Sequence, residues 1–223
     1  MSRVVVAIDG PAGSGKSTIA AGLAVRLGVP HVDTGAYYRA ATFIAHRSGV
    51  PVDDQDQVLA AVQASTIERA GARTRVDGAD VEDVIRQPAI NAQVSAVARH
   101  PGVRRYMATL QRAAVTAKGA VVEGRDAGTV VVPDADLKVW LTAAVDTRAA
   151  RRAQQAGITG PDEIAAEADR LTQRDEQDAQ NMLNAGHTVR AVDDVEVDTT
   201  GLSVAHVIER VAQLALDRAQ VQS

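Results

Sequence analysis

Gly10-Pro11-Ala12-Gly13-Ser14-Gly15-Lys16-Ser17 stands between an apolar run, residues 4–8, and a helix-period segment, residues 17–27, which Gly28 closes. The spacing G-x-x-x-x-G-K-[ST], following a strand and opening a helix, constrains the fold more than any other feature of the chain. Its glycines let successive backbone N–H groups turn inward as an anion-binding nest at a helix amino terminus. In such a loop the backbone from Gly10 to Thr18 wraps the phosphates and Lys16 reaches the β- and γ-phosphates, while the Ser17 hydroxyl ligates Mg²⁺. An ordinary glycine-rich turn needs neither the lysine nor the serine. The motif therefore implies a nucleoside triphosphate held at the carboxyl end of the first strand.

Strand-like apolar runs alternate with helix-period segments along the rest of the chain, the pattern of a parallel sheet covered by helices. Further buried strands are predicted at residues 121–123 and 137–141, and a last one at residues 195–198. Helices are predicted over residues 36–48, 101–118, 146–156 and 162–183, with Ser203 capping a closing helix to about residue 218. Residues 66–76 are polar and β-prone with a turn at Ala70-Gly71-Ala72, and with a helical stretch over 81–99 they form an inserted subdomain. The helices at 146–156 and 162–183, separated by Gly157 and Gly160-Pro161, form a flap. The 42 alanines favour closely packed helices over a β-sandwich.

Several function classes drop out on composition. The formal charge of −4 has the wrong sign for a general nucleic-acid binder, and one Phe, one Trp and three Tyr cannot build stacking platforms. With no cysteine, thiolate zinc sites, disulfides and cysteine nucleophiles are closed readings. No apolar run approaches the length of a membrane span, and the apolar stretch at the amino terminus is too short for a signal peptide, so a cytoplasmic location is expected. The five histidines show no metal spacing and are expected at the surface or at caps, while Trp140 and Phe43 are expected in the core. Without a heptad or an apolar stripe, a monomer is expected.

A phosphate loop alone stops at "nucleoside triphosphate". No guanine-reading Asn-Lys-x-Asp is present, and Asp198-Thr199-Thr200-Gly201 stands too near the end of the chain for a switch loop. A kinase of small molecules remains. The chain resembles the bacterial cytidylate kinases, the (d)CMP kinases of the nucleoside monophosphate kinase group. The match runs through Asp9 to Ser17, Asp33-Thr34-Gly35-Ala36-Tyr37-Tyr38-Arg39, Glu123-Gly124-Arg125-Asp126-Ala127-Gly128-Thr129 with a valine strand after it, Arg174-Asp175-x-x-Asp178 and Asp198-Thr199-Thr200. The resemblance implies an α/β, P-loop NTPase-type parallel sheet flanked by helices, with a monophosphate-binding insertion and a lid. It divides one domain of residues 1–223 into a core (about 1–32, 105–147 and 179–223), a monophosphate-binding part (about 33–104) and a lid (about 148–178). It further implies ATP as donor, CMP or dCMP as acceptor, and Mg²⁺.

Arginine's planar fork suits bidentate phosphate recognition, so Arg39 and Arg125, each at a junction beside a strand, are candidates to grip the acceptor phosphate. An ionised Asp126 accepts only, and so can take the exocyclic amine of cytosine that uracil lacks. The resemblance adds Thr34 and Arg104 for the base and Ser95, Arg174 and Asp178 for the sugar. Arg148, Arg151 and Arg152 lie within two turns of one helix, where Arg148 and Arg152 are candidates to neutralise charge on the transferring phosphoryl group beside Lys16 and Arg125. Glu123, ending its strand near the loop, is a candidate to orient the Mg²⁺ shell through water. The resemblance breaks where the family carries an arginine three residues beyond Asp178. Asn181 stands there, and Arg190, from residues the family lacks, is the candidate substitute. The competing readings are a kinase for another monophosphate or a small alcohol, and a regulatory nucleotide-binding protein with a decayed acceptor site.

Overall fold

The computed structural model describes residues 3–221. In chain order the elements are β1 (Val4–Asp9), α1 (Lys16–Leu27), β2 (His31–Asp33), α2 (Thr34–Arg47), α3 (Gln55–Gln63), β3 (Ile67–Ala70), β4 (Arg73–Val76), β5 (Ala79–Asp80) and α4 (Glu82–Ile85). There follow α5 (Pro88–Asn91), α6 (Val94–Ala98), α7 (Pro101–Ala113), β6 (Gly119–Glu123), β7 (Leu137–Thr142), α8 (Val145–Ala156), α9 (Pro161–Asn184), β8 (Val195–Asp198) and α10 (Val204–Val221). The main sheet runs β2-β6-β1-β7-β8 with every pairing parallel, and β3-β4-β5 form a small antiparallel sheet.

All six residues of β1 are buried, as a central parallel strand covered on both faces requires. The period of two divides them. Val4, Val6 and Ile8 pack with Ile19, Leu23 and Leu27 of α1 and with Val207 and Val211 of α10, whereas Ala7 joins Val32 and Val122 against α2 and α7. Because the strands are parallel, their carboxyl ends meet at one edge: the phosphate loop leaves β1, Thr34 follows β2, and Gly124-Arg125-Asp126 follows β6.

Three expectations are corrected. The valine run after Asp126 is not a strand: Ala127–Val131 form a π-helical turn. Both edges of β1 are already taken by β6 and β7, and the Asp9 carboxylate accepts the Ala127 and Gly128 N–H groups (2.8 and 2.7 Å), which coils the chain there. The stretch 81–99 is not one helix but α4, α5 and α6, because Pro88 forces Gln87 into an extended conformation (φ −65°, ψ 151°). The helix from Pro101 ends at Ala113, where Thr116 and Gly119 close a turn into β6. Further from the site, His100 is buried with Nε2 2.7 Å from the Val52 carbonyl, and Trp140 and Phe43 are half-buried. Among the described residues no helix is long and apolar enough to cross a membrane.

Candidate active site

A cavity of about 570 Å³ opens over the carboxyl edge of the sheet. The residues from Ala12 to Thr18 form its floor. Gly15, at φ 97°, holds the left-handed turn that admits the chain to α1, a conformation that a β-carbon penalises. Lys16 Nζ donates to the Pro11 carbonyl (2.8 Å), and burial pushes its ammonium down to about 7, with the neighbouring Arg125 adding to the effect. Anionic phosphates would supply the compensation that burial removes. Gly10 and Pro11 do not line the cavity; their carbonyls hold Arg125 Nη1 (2.8 Å) and Lys16 from behind.

The Ser17 hydroxyl donates to Glu123 Oε2 (3.1 Å), and His31 Nε2 lies 3.2 Å from the other oxygen. His31, expected at the surface, is thus drawn into the site from β2, next to β6 in the sheet. A hydroxyl beside a carboxylate is a hard-oxygen pair of the kind Mg²⁺ takes, with phosphates and water completing its shell.

The opposite wall comes from residues far apart in the chain. Asp33 caps α2 by accepting the Ala36 N–H (3.0 Å), which sets Thr34 and, one turn on, Arg39 at the cavity. Gly124 passes so close to Thr34 that a β-carbon there would overlap the threonine hydroxyl. Arg39 donates through Nε to Asn91 (3.1 Å), while its buried Nη1 makes no hydrogen bond among the described residues. Arg104 and Asp126, only 7% and 4% exposed, form a direct ion pair at the back of the cavity, with Arg104 also donating to the Ala98 carbonyl (3.2 Å).

The antiparallel pair α8 and α9 closes the roof. Arg125 Nη2 lies 3.0 Å from Asp178, whose other oxygen accepts from the Ser95 hydroxyl (3.3 Å). Arg174, Asp178 and Asn181 share the face of the unbroken α9 that lines the cavity, and Asn181 Nδ2 donates to the Ser95 carbonyl (3.3 Å). Arg152 reaches the cavity from α8 and makes no ion pair among the described residues. Arg148 does not line it: its Nη1 donates to the Ala12 carbonyl (2.8 Å) and to Asp175 Oδ2 (2.6 Å). Arg151 lines the cavity and also braces the loop, through Thr199 (2.9 Å) and the Ser14 carbonyl (3.4 Å). Arg190 is remote from the cavity, paired with Asp194 and Glu196 and lying 5.0 Å over the Trp140 ring.

A family model described as "Cytidylate kinase" matches residues 6–217. The chain belongs to the cytidylate kinase family. It is 40% identical over 221 residues to a cytidylate kinase of Geobacillus kaustophilus, covering 97% of this chain and 98% of that one. It is 42% identical over 219 residues to one of Streptomyces griseus, covering 96% and 93%. Among solved structures, an uncharacterized protein of Eubacterium ventriosum aligns with a TM-score of 0.50 at 11% identity, over 96% of this chain and 98% of that one, a likeness of fold. The chain is thus an enzyme, a nucleoside monophosphate kinase of the cytidylate kinase family with the P-loop α/β fold.

Membership in the cytidylate kinase family does not by itself give a job to the residues that sequence reasoning passed over. Asp9 is the chief of these. Burial drives its carboxyl up to about 6 although it accepts two backbone N–H groups, and the nearby Asp126 carboxylate raises it further. Arg86 lines the cavity and is held to it by Asp33 (3.2 Å) and Glu82 (2.5 Å). Asp175 sits among Ala12, Arg125 and Arg148. An acid immediately before the loop glycine and an acid beside Arg174 were visible in the sequence, but only their buried partners distinguish them from solvated carboxylates.

Proposed function

We propose that this kinase transfers the γ-phosphoryl group of ATP to CMP or dCMP. The observation that carries the reading is the buried Arg104–Asp126 pair lining the same cavity as the phosphate loop. A carboxylate accepts the cytosine amine and a guanidinium donates to the adjacent ring acceptors, an edge that uracil does not match. Thr34 adds a hydroxyl beside them.

The residues from Ala12 to Thr18 cradle the triphosphate, with Gly10 and Pro11 bracing Arg125 and Lys16 behind them. Arg39 and Arg125 grip the acceptor phosphate, and Ser95, Arg174 and Asp178 hold the sugar. Ser17 and Glu123 would hold Mg²⁺, which neutralises phosphate charge when bound. Transfer is direct and asks for position and charge rather than a protein nucleophile. Lys16 and Arg125 supply that charge from the floor, and Arg152 supplies it from the roof as the lid settles. Arg148 acts one step back, fixing the loop backbone through Ala12.

A coupled ADP-release assay over CMP, dCMP, UMP, AMP and GMP tests the reading. CMP and dCMP should turn over with far higher kcat/KM than the rest. Equal turnover of UMP, or release of ADP only with a purine monophosphate, would reject it.

A further inference from the structure

Asp175 ties the donor loop to the acceptor-phosphate arginine through a single oxygen. Its Oδ1 accepts both the Ala12 backbone N–H (2.7 Å) and Arg125 Nη1 (3.2 Å). Oδ2 accepts from Arg148 Nη1 (2.6 Å), which also holds the Ala12 carbonyl. Arg125 continues the chain of contacts to Asp178 (3.0 Å) and so to Ser95 (3.3 Å). One carboxylate on the lid helix α9 therefore touches the phosphate loop, the residue after β6 that faces the acceptor, and helix α8.

Resting on the function proposed above, we propose that Asp175 is a positioning residue that makes the binding of ATP and CMP interdependent. Ala12 lines the cavity but its N–H is held by Asp175, which does not, so a loop that turns this N–H toward a phosphate oxygen gives up the Asp175 contact. The two anions also repel each other in a partly desolvated site. ATP draws Ala12 away from Oδ1 and drives the carboxylate off. The same oxygen then loosens its hold on Arg125, freeing Nη1 for the acceptor phosphate. Linkage makes the effect reciprocal, since CMP that recruits Arg125 also releases Ala12 for ATP.

The test is calorimetric titration of CMP into the full-length enzyme with and without the non-hydrolysable analogue AMP-PNP and Mg²⁺. In the wild type the analogue should tighten CMP binding on the order of tenfold, in the usual range of coupling between two sites. Asp175→Asn keeps the shape and removes the charge, so CMP alone should bind several-fold more tightly than to the wild type, and the analogue's effect should shrink toward onefold. Asp175→Ala, which removes the acceptor altogether, should behave alike and stands in should the asparagine variant fold poorly. A plain lid anchor predicts the opposite, with CMP weakened equally with and without the analogue. That result would overturn the proposal, as would a wild type whose CMP affinity ignores the analogue. Absence of any CMP binding to the wild type would instead overturn the reading of the function itself.

Discussion

Asp126→Ala is the sharpest probe of base selection, because its consequences for selectivity and stability separate. Asp126 and Arg104 are 4% and 7% exposed and paired directly, so removing the carboxylate leaves a buried guanidinium whose remaining hydrogen bond among the described residues goes to the Ala98 carbonyl at 3.2 Å, with the Tyr38 ring 5.9 Å away. Breaking one side of a buried ion pair costs about 3–5 kcal/mol of stability. Losing the acceptor for the cytosine amine costs about 1–3 kcal/mol in the closed site, an expected fall of about 10- to 100-fold in kcat/KM for CMP. UMP lacks the amine for such a contact and should lose far less, so the CMP-to-UMP ratio should narrow. The double variant Arg104→Ala/Asp126→Ala removes both charges together, so its melting temperature should fall by less than the sum of the two single changes. Steady-state kinetics on both monophosphates, with thermal melts of all four proteins, decide the matter. A folded Asp126→Ala enzyme with an unchanged CMP-to-UMP ratio would show that the pair is structural and that the base is read elsewhere.

Lys16→Ala should slow turnover at saturating substrates by about 10²-fold or more, the scale of one preorganised transition-state contact; stopped or continuous ADP-release kinetics with unaltered kcat would contradict that role. Asn181 faces the cavity beside Arg174 and Asp178 without a charge, so Asn181→Arg should lower KM for CMP; a KM that stays put would mean that this turn of α9 does not meet the monophosphate. Arg190→Ala should leave KM for CMP unchanged because its guanidinium is bound to Asp194 and Glu196 and stacked on Trp140, and a raised KM would reject that placement. With the Asp9 carboxyl raised to about 6, the folded chain keeps a proton between about pH 4 and 6 that the unfolded chain releases. Stability from this group is therefore fully present below that window, falls as the pH rises through it, and stays reduced above, by at most about 3 kcal/mol. The stability of wild type relative to Asp9→Asn should fall from pH 4 to 6, by at most about 3 kcal/mol, and then level off; a difference flat across that range would show that the carboxyl is not raised.

The phosphate loop, the alternation of strands and helices and the caps at Gly28 and Ser203 were legible in the sequence because each depends on neighbours within a few residues. The strand before the loop, the helix after it and the left-handed Gly15 follow from local backbone preferences and a period of two or 3.6. Resemblance to a family extended this reach to Ser95 and Arg104, which no local pattern marks. The valine run after Asp126 shows the limit. Its β propensity is real, but β1 already had partners on both edges and the Asp9 carboxylate, 118 residues away in sequence, captured the Ala127 N–H. Sequence position likewise grouped Arg148 with Arg152 on α8, and packing sent Arg152 to the cavity and Arg148 to the back of the loop. His31 reached Glu123 because β2 and β6 are neighbours in the sheet, and Asp175 reached Ala12 because α9 folds over the loop. The sequence by itself determined which chemistry the chain carries, since a phosphate nest and its lysine are a local motif. Only the tertiary structure decided which charges face the cavity and which are tied up in its walls, because burial and pairing are set by partners that the chain brings together over long distances.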